Sequence, residues 1–216
     1  MRAPIRVTST DGQHVSGGEK FMEQTSQTHN DMNALQAQIR ECFGRVVYST
    51  KTHEKCADQC MKKLGYVKFL QIALAALTTG GLITAVFGTK DVSQISIIIS
   101  TIFSTILLAL NTYTKDSDPG QQSEKHKKTA SELWNIRESY LSVLADLHDG
   151  NIDIEAARKK RDELQASLAT IYATAPRTSS KAYSHASKGL KEKEELTFSD
   201  TEIDAFLPEI LRHTEK

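Results

Sequence analysis

Hydroxyl and amide side chains recur at helical spacing in an apolar stretch near the middle of the chain. The stripe consists of Ser93, Ser96, Ser100, Ser104 and Asn111. Their intervals place them on or close to one face of an α-helix. When several helices associate, such a face can line a water-filled pore. The same residue types also allow close contact between helices in a membrane. The sequence leaves both interpretations open, and both require association.

A second zone of small and hydroxyl residues lies in the preceding apolar stretch. Thr78 and Gly81 are its candidates for pore lining or helix packing. Neither stretch contains a charged residue, and rings of charged side chains are one means by which channels select ions. We therefore expect no strong ion selectivity.

His53, Cys56 and Cys60 are spaced three and four residues apart and so share a helix face. Zinc requires four ligands, usually from two chain segments, and a second pair is not evident. We expect small residues of a helix seam here and no metal. No serine or cysteine has a recognisable nucleophile context, and Gly80-Gly81 lacks the lysine of a phosphate-binding loop. The sequence predicts no catalytic residue, no cofactor and no enzyme.

Basic residues on predicted helices are weak candidates for binding nucleotide phosphates between protomers. They are Arg137, Arg158, Lys159, Lys160 and Arg161. Such charges can pair with phosphate oxygens. A solvated helix face explains the run equally well. Lys and Arg number 27, equal to Asp and Glu, so no global basic charge indicates nucleic acid as a partner.

The stripe and the small-residue zone belong to two long uncharged runs, residues 69–89 and 92–114. Crossing ~30 Å of hydrocarbon takes ~20 helical residues. We predict a transmembrane hairpin over residues 69–113, with spans of about 69–88 and 94–113 and Lys90 and Asp91 in the turn. The alternative, two buried helices of a soluble bundle, is disfavoured by the length of the runs and by their flanks.

Lysines flank the hairpin on the side of both chain termini, whereas the turn contains only Lys90. The flanking lysines are Lys62, Lys63, Lys68, Lys115, Lys125, Lys127 and Lys128. An excess of Lys and Arg marks the cytoplasmic side. We expect both termini in the cytoplasm, no cleavable signal peptide and reduced thiols at all three cysteines.

The remaining segments predict an all-α fold, with a cytoplasmic helical bundle built from a long N-terminal helix and C-terminal helices. Residues 1–30 are polar and are expected to form a disordered tail. A helix from near Asp31 to residue 68 should lead into the membrane. Residues 120–216 should form the C-terminal cytoplasmic helices. Their predicted boundaries are a start near Ser123, an end at Gly150, an N-cap at Asp153, a stop before Pro176 and a capping box at Ser199.

Three segments together resemble one family. They are residues 124–147 (EKHKKTASELWNIRESYLSVLADL), 175–190 (APRTSSKAYSHASKGL) and 197–208 (TFSDTEIDAFLP). In this order, after a long helix and a hairpin, they resemble the SLATT proteins, two-transmembrane effectors associated with bacterial nucleotide-signalling operons. The resemblance covers roughly residues 35–215.

The resemblance implies a multi-pass protein of the bacterial inner membrane that acts in anti-phage defence. Such a protein would form a homo-oligomeric pore on a signal from a nucleotide second messenger or a separate sensor protein, with the lipid bilayer as its other partner. The family provides no ligand-binding residues to transfer. The alternative function is a non-conducting, membrane-anchored adaptor or scaffold that recruits a partner protein.

Overall fold

The computed structural model describes the backbone of residues 15–209 and 212, and the side chains of residues 30–209 and 212. This part of the chain contains helices and no strand, which confirms the all-α prediction. The helices are α1 (Val15–Phe87), α2 (Lys90–Ser117), α3 (Pro119–His148), α4 (Ile154–Thr174), α5 (Ser180–Glu192) and α6 (Asp200–Phe206).

Helix α1 begins at Val15, well before the start predicted near Asp31. Residues 15–30, which we expected to be part of a disordered tail, therefore have a helical backbone. Adding a residue to a formed helix gains a hydrogen bond without a new nucleation step, so a polar segment can extend a helix that is already stabilised. The prediction for residues 1–14 lies outside the described residues. At its other end α1 continues without a break to Phe87.

The turn of the hairpin is shorter than predicted, because α2 already begins at Lys90. Asp91 lies in the first turn of α2, where a carboxylate interacts favourably with the helix dipole. The next helix, α3, begins at Pro119 rather than at Ser123. Proline suits the first position of a helix because its φ is preset and it lacks the N–H that would be unpaired there.

Apart from the start of α3, the predicted boundaries of the C-terminal helices agree with the structure. Helix α3 ends just before Gly150, whose φ of 70° is in the left-handed region. Asp153 Oδ1 accepts a hydrogen bond of 2.7 Å from the Ala156 N–H and caps α4. At the start of α6, Ser199 and Glu202 form a complete capping box.

The chain divides into two compact units. Unit 1 comprises residues up to Gly44 together with residues 138–166. Its buried apolar side chains come from α1, α3 and α4, and they are Leu35, Ile39, Tyr140, Val143 and Ala157.

Unit 2 comprises residues 45–137 and 167–216 and contains the hairpin. Beside the hairpin, α3 contacts α1 through Ser123, whose hydroxyl donates to the Ala57 carbonyl at 3.1 Å. Helix α5 has alanines at consecutive turns, Ala182 and Ala186, and both are fully buried. Side chains this small let two helices approach closely.

Candidate functional site

The apolar surface of the hairpin faces outward. No side chain of residues 69–89 is buried, and Ser100 is the one buried residue of α2. Ile72, Val86 and Leu108 are 70%, 74% and 67% exposed. A contiguous apolar surface of this kind is rare on soluble proteins. Both helices are also long and apolar enough to cross a membrane. The hairpin thus has the surface of a membrane-spanning element.

The two spans pack most closely where Gly81 of α1 meets Ser100 of α2. A Cβ atom at Gly81 would collide with the Ser100 hydroxyl, so glycine allows this approach. Ser100 is 2% exposed and its hydroxyl has no hydrogen-bond partner among the described residues. One side of the contact is reinforced by Ser93, whose hydroxyl donates to the Ala85 carbonyl at 2.6 Å. This is the close helix contact that small residues allow in a membrane.

The predicted stripe of α2 is therefore divided between two environments. Ser93, Ser96 and Ser100 lie on the side that faces α1, where each is buried or half-buried. Ser104 and Asn111 are exposed. The stripe does not drift around the helix, because residues 93 and 111 are 18 residues apart, which is five full turns. The five residues thus differ in exposure although they share one side of α2. Ser100 and Gly81 pack the hairpin together, so substitution of either residue tests packing before it tests a pore.

Polar contacts join the spans at the end away from the turn. Gln71 Nε2 donates to Asn111 Oδ1 at 2.8 Å and to Thr114 Oγ1 at 3.3 Å. Lys63 Nζ donates to the Tyr113 hydroxyl at 2.7 Å. Asn111 was predicted to line a pore or to pack helices, and here it joins α1 to α2. Aromatic and lysine side chains at this level are typical anchors at a membrane interface.

The threonines of both spans satisfy their own hydroxyl donors. Thr78, Thr79 and Thr84 of α1 each donate to the carbonyl four residues earlier, at 2.8–2.9 Å. Thr101 and Thr105 of α2 do the same at 2.8 and 2.9 Å. Each hydroxyl then retains lone pairs that can accept a hydrogen bond from water. Thr78, a predicted candidate, is half-buried.

The predicted phosphate-binding residues mostly have protein partners. In unit 1, Arg158 pairs with Glu155 at 3.3 Å and lies 3.8 Å from Asp31. Arg161 donates to Gln38 at 2.7 Å and pairs with Asp162 at 2.8 Å. Lys159 is exposed. In unit 2, Arg137 lies over the Trp134 ring at 4.4 Å.

A buried histidine pair joins α1 to α3 in unit 2. The Nδ1 atoms of His53 and His126 are 2.9 Å apart, and the two residues are 3% and 5% exposed. One neutral ring must donate and the other accept. Burial, with a smaller contribution from His126, lowers the pKa of His53 to about 4. Burial also lowers the pKa of His126.

His126 was not among the residues singled out from the sequence. His53 was considered there with Cys56 and Cys60, which are free thiols in the structure. Among the described residues no group of three or more His, Cys, Asp or Glu side chains could hold a metal ion. The signal for His126 was its position one helical turn before Ala130, which is buried on the same face of α3.

Glu195 also escaped the sequence analysis. It lies between α5 and α6, and its carboxylate is 2.8 Å from Lys51 Nζ and 3.0 Å from Lys55 Nζ of α1. Hydrogen bonds from Lys51 and then Lys55 lower the pKa of Glu195 to about 2. No motif connects residues so distant in sequence, so only the tertiary structure identifies this cluster.

Comparison with known proteins identifies one family. The family model described as SMODS and SLOG-associating 2TM effector domain family 4 matches residues 35–202, which is more than half of the chain. No curated protein and no solved structure matches. The matched range includes the hairpin and α3 to α5, and it agrees with the resemblance seen in the sequence.

Proposed function

Because the chain belongs to the SMODS and SLOG-associating two-transmembrane effector family, which implies a membrane effector of a defence system, we propose that it permeabilises the bacterial inner membrane in response to phage. Several copies associate, and their hairpins enclose a pore that opens on a nucleotide second messenger or on contact with a separate sensor protein. The activity involves no enzymatic step, no cofactor and no nucleic-acid partner. The flanking lysines support an orientation with both termini in the cytoplasm.

The observation that carries the proposal is an outer polar stripe on the exposed flank of α2, about 100° around the helix from the face that contacts α1. It consists of Gln94, Thr101, Thr105 and Thr112, all of which are exposed. Intervals of seven, four and seven residues keep them on one helix face. Polar side chains in a span usually face other helices or water rather than lipid. Two helices cannot enclose a channel, so association of several copies would turn this stripe toward a common water-filled centre.

The test is membrane depolarisation in bacteria that express the full chain, measured with a potential-sensitive dye during phage infection. The informative variant is Thr101→Val/Thr105→Val, because valine keeps the shape of threonine and removes the hydroxyl. An apolar ring in a narrow pore favours dewetting and blocks ions. We expect this variant to insert normally and to lose most of the depolarisation.

The matched control is Thr79→Val/Thr84→Val, which removes two exposed hydroxyls from α1 that have the same backbone hydrogen bonds. This control should depolarise the membrane as the unmodified chain does. Equal depolarisation by the two double variants would contradict the assignment of the α2 stripe to the pore. Absence of depolarisation in every form, with protection against phage retained, would contradict the pore itself.

That last outcome would favour the second candidate function, an adaptor. Helix α6 and the segment just before it expose large apolar side chains that could contact a partner protein. Phe198 is 63% exposed and Phe206 is 82% exposed. Deletion of residues 197–208 should then abolish protection, whereas the Thr101→Val/Thr105→Val variant should protect normally. A pore predicts the opposite sensitivity for the threonine variant.

A further inference from the structure

A lysine-rich cavity lies in unit 2 between α1, α5 and the turn that follows α5. Its volume is about 530 Å³, within the range of roughly 300–1,000 Å³ typical of small-molecule sites. Five lysines line it, and they are Lys55, Lys62, Lys181, Lys188 and Lys193. The carboxylates in the lining are those of Asp58 and Glu195, so the formal charge of the lining is positive.

Three of these lysines are available to a ligand. Lys62, Lys181 and Lys193 form no ion pair with any residue that the structure describes, and all three are exposed. Lys188 lies 3.7 Å from Glu192, and Lys55 pairs with Glu195. The cavity thus holds more ammonium groups than the protein neutralises, and an anion is the complementary ligand.

In the structure, the Glu195 carboxylate lies beside the cavity lysines, where an anionic ligand would bind. It accepts hydrogen bonds from Lys55 at 3.0 and 3.2 Å and approaches Gly189, where a Cβ atom would lie 2.9 Å from Oε2. The residues on either side, Glu194 and Leu196, have φ values of 53° and 75°. Left-handed backbone is unfavourable for such residues and persists where the surroundings hold it. The Glu195 turn is held by its carboxylate contacts together with two backbone hydrogen bonds. The Glu195 N–H donates to the Gly189 carbonyl at 3.1 Å, and the Thr197 N–H donates to the Glu194 carbonyl at 3.0 Å.

A neutral donor in the wall of the cavity has no partner. Gln59 lines the cavity, and its Nε2 atom is shielded from solvent and donates to none of the residues that the structure describes. Its Oε1 atom accepts a hydrogen bond of 3.5 Å from Ser179. A buried amide N–H without an acceptor is unfavourable. An anionic oxygen that displaces the groups covering this amide would supply that acceptor.

We propose that this cavity binds a phosphate-bearing anion that displaces the Glu195 carboxylate from Lys51 and Lys55. The phosphate oxygens take up the lysine and Gln59 hydrogen bonds, and the turn at 194–196 is released together with α6. Binding stands on the cavity alone, whereas any effect of this release on a pore rests on the proposed function.

Two sources of phosphate suit the position of the cavity. Free phosphate compounds reach it from solvent. A lipid headgroup is also within reach, because Lys62 precedes the span at Phe69 by seven residues, about 10 Å along α1. Both sources present phosphate oxygens with at least two negative charges, either on one free compound or on several neighbouring lipid headgroups.

The test is binding to the purified full chain in neutral detergent, with inorganic pyrophosphate as the soluble probe and calorimetry as the readout. A second arm uses flotation with phosphatidylcholine vesicles, with and without phosphatidylglycerol. Three variants are compared with the unmodified chain. Glu195→Gln removes the competing carboxylate, and Lys62→Gln/Lys181→Gln/Lys193→Gln removes the unpaired ammonium groups. The control Lys125→Gln/Lys127→Gln/Lys128→Gln makes the same charge change at exposed lysines of α3 outside the cavity.

We expect the Glu195→Gln variant to bind about tenfold tighter and the cavity triple variant at least about tenfold weaker, since one hydrogen bond to a charged group is sufficient for such a factor. The control triple variant should bind as the unmodified chain does. Pyrophosphate binding with this order identifies a soluble ligand. The same order for phosphatidylglycerol vesicles alone identifies a lipid headgroup. Equal weakening by both triple variants, or no binding of either probe by Glu195→Gln, would overturn the proposal. Circular dichroism checks that each variant is folded.

Because these measurements need no conductance, they separate the cavity from the pore. Anion binding by a chain that never depolarises a membrane would support the cavity site and contradict the pore. Depolarisation by a variant that no longer binds the anion would support the pore and contradict a role of the site in it.

Discussion

Acidification should destabilise the protein through the His53–His126 pair. Both imidazoles are buried and neutral, and in the unfolded chain they would titrate near 6.5. Because the pKa of His53 is about 4 in the native state, the unfolded state binds more protons between these two values. Stability therefore rises with pH across this window. Lowering the pH from about 7.5 to about 5 should reduce the free energy of unfolding by about 2 kcal/mol from His53 alone, a factor of roughly 30.

The assay is guanidinium unfolding in detergent, followed by the fluorescence of Trp134, the only tryptophan of the chain. Trp134 lies on α3 two turns after His126, so it reports on the helix that the pair holds. The carboxylates with lowered pKa values do not interfere. Glu195 and Glu202 titrate near 4.5 in the unfolded chain, and their pKa values are lower in the native state, so most of their stabilisation is lost below pH 5.

The variant His53→Leu/His126→Leu removes both titrating groups together, so no unpaired imidazole is left buried. It should unfold with nearly equal free energies at the two pH values. His185→Leu, which removes an exposed histidine, should keep the pH dependence of the unmodified chain. A double variant that still loses about 2 kcal/mol on acidification would refute the assignment, because the protons would then bind elsewhere.

Two further substitutions test the packing of the hairpin and the start of α6. Gly81→Leu should force the spans apart at Ser100 and destabilise the hairpin by about 1–3 kcal/mol, the usual effect of overpacking. Gly80 faces open space, so Gly80→Leu should be near neutral. Thermal stability in detergent distinguishes the two variants, and equal values would contradict the Gly81 contact. Ser199→Ala should remove the capping box and cost about 1 kcal/mol of local stability, seen as faster amide exchange of Glu202 and Ile203 with exchange in α5 unchanged. Unchanged exchange at these amides would show that the cap does not hold α6.

Local signals in the sequence predicted most of the fold. Spans without charge, the left-handed Gly150, the Asp153 N-cap and the Ser199 capping box each act within a few residues, so they can be recognised without knowledge of tertiary contacts. The start of α1 was wrong because the polar segment before Asp31 carries no strong signal of its own. Its helicity depends on the helix that it extends.

In the hairpin, the sequence did not predict which residues of α2 face α1. Helical spacing placed Ser100 and Ser104 in one stripe, but it does not give the rotation of α2 about its axis relative to α1. Packing against Gly81 decides that rotation, because only a glycine admits the Ser100 side chain so closely. The outer threonine stripe became visible once the inner face was known.

The sequence by itself determined a two-span, all-α membrane protein and its family resemblance, because hydrophobic length and helix-boundary residues act locally. Only the tertiary structure decided which side chains meet. His53 contacts His126, which is 73 residues away in sequence, and Lys55 contacts Glu195, which is 140 residues away. These contacts depend on how α1, α3 and α5 pack, and no periodicity within a single helix encodes the partner that covers its face.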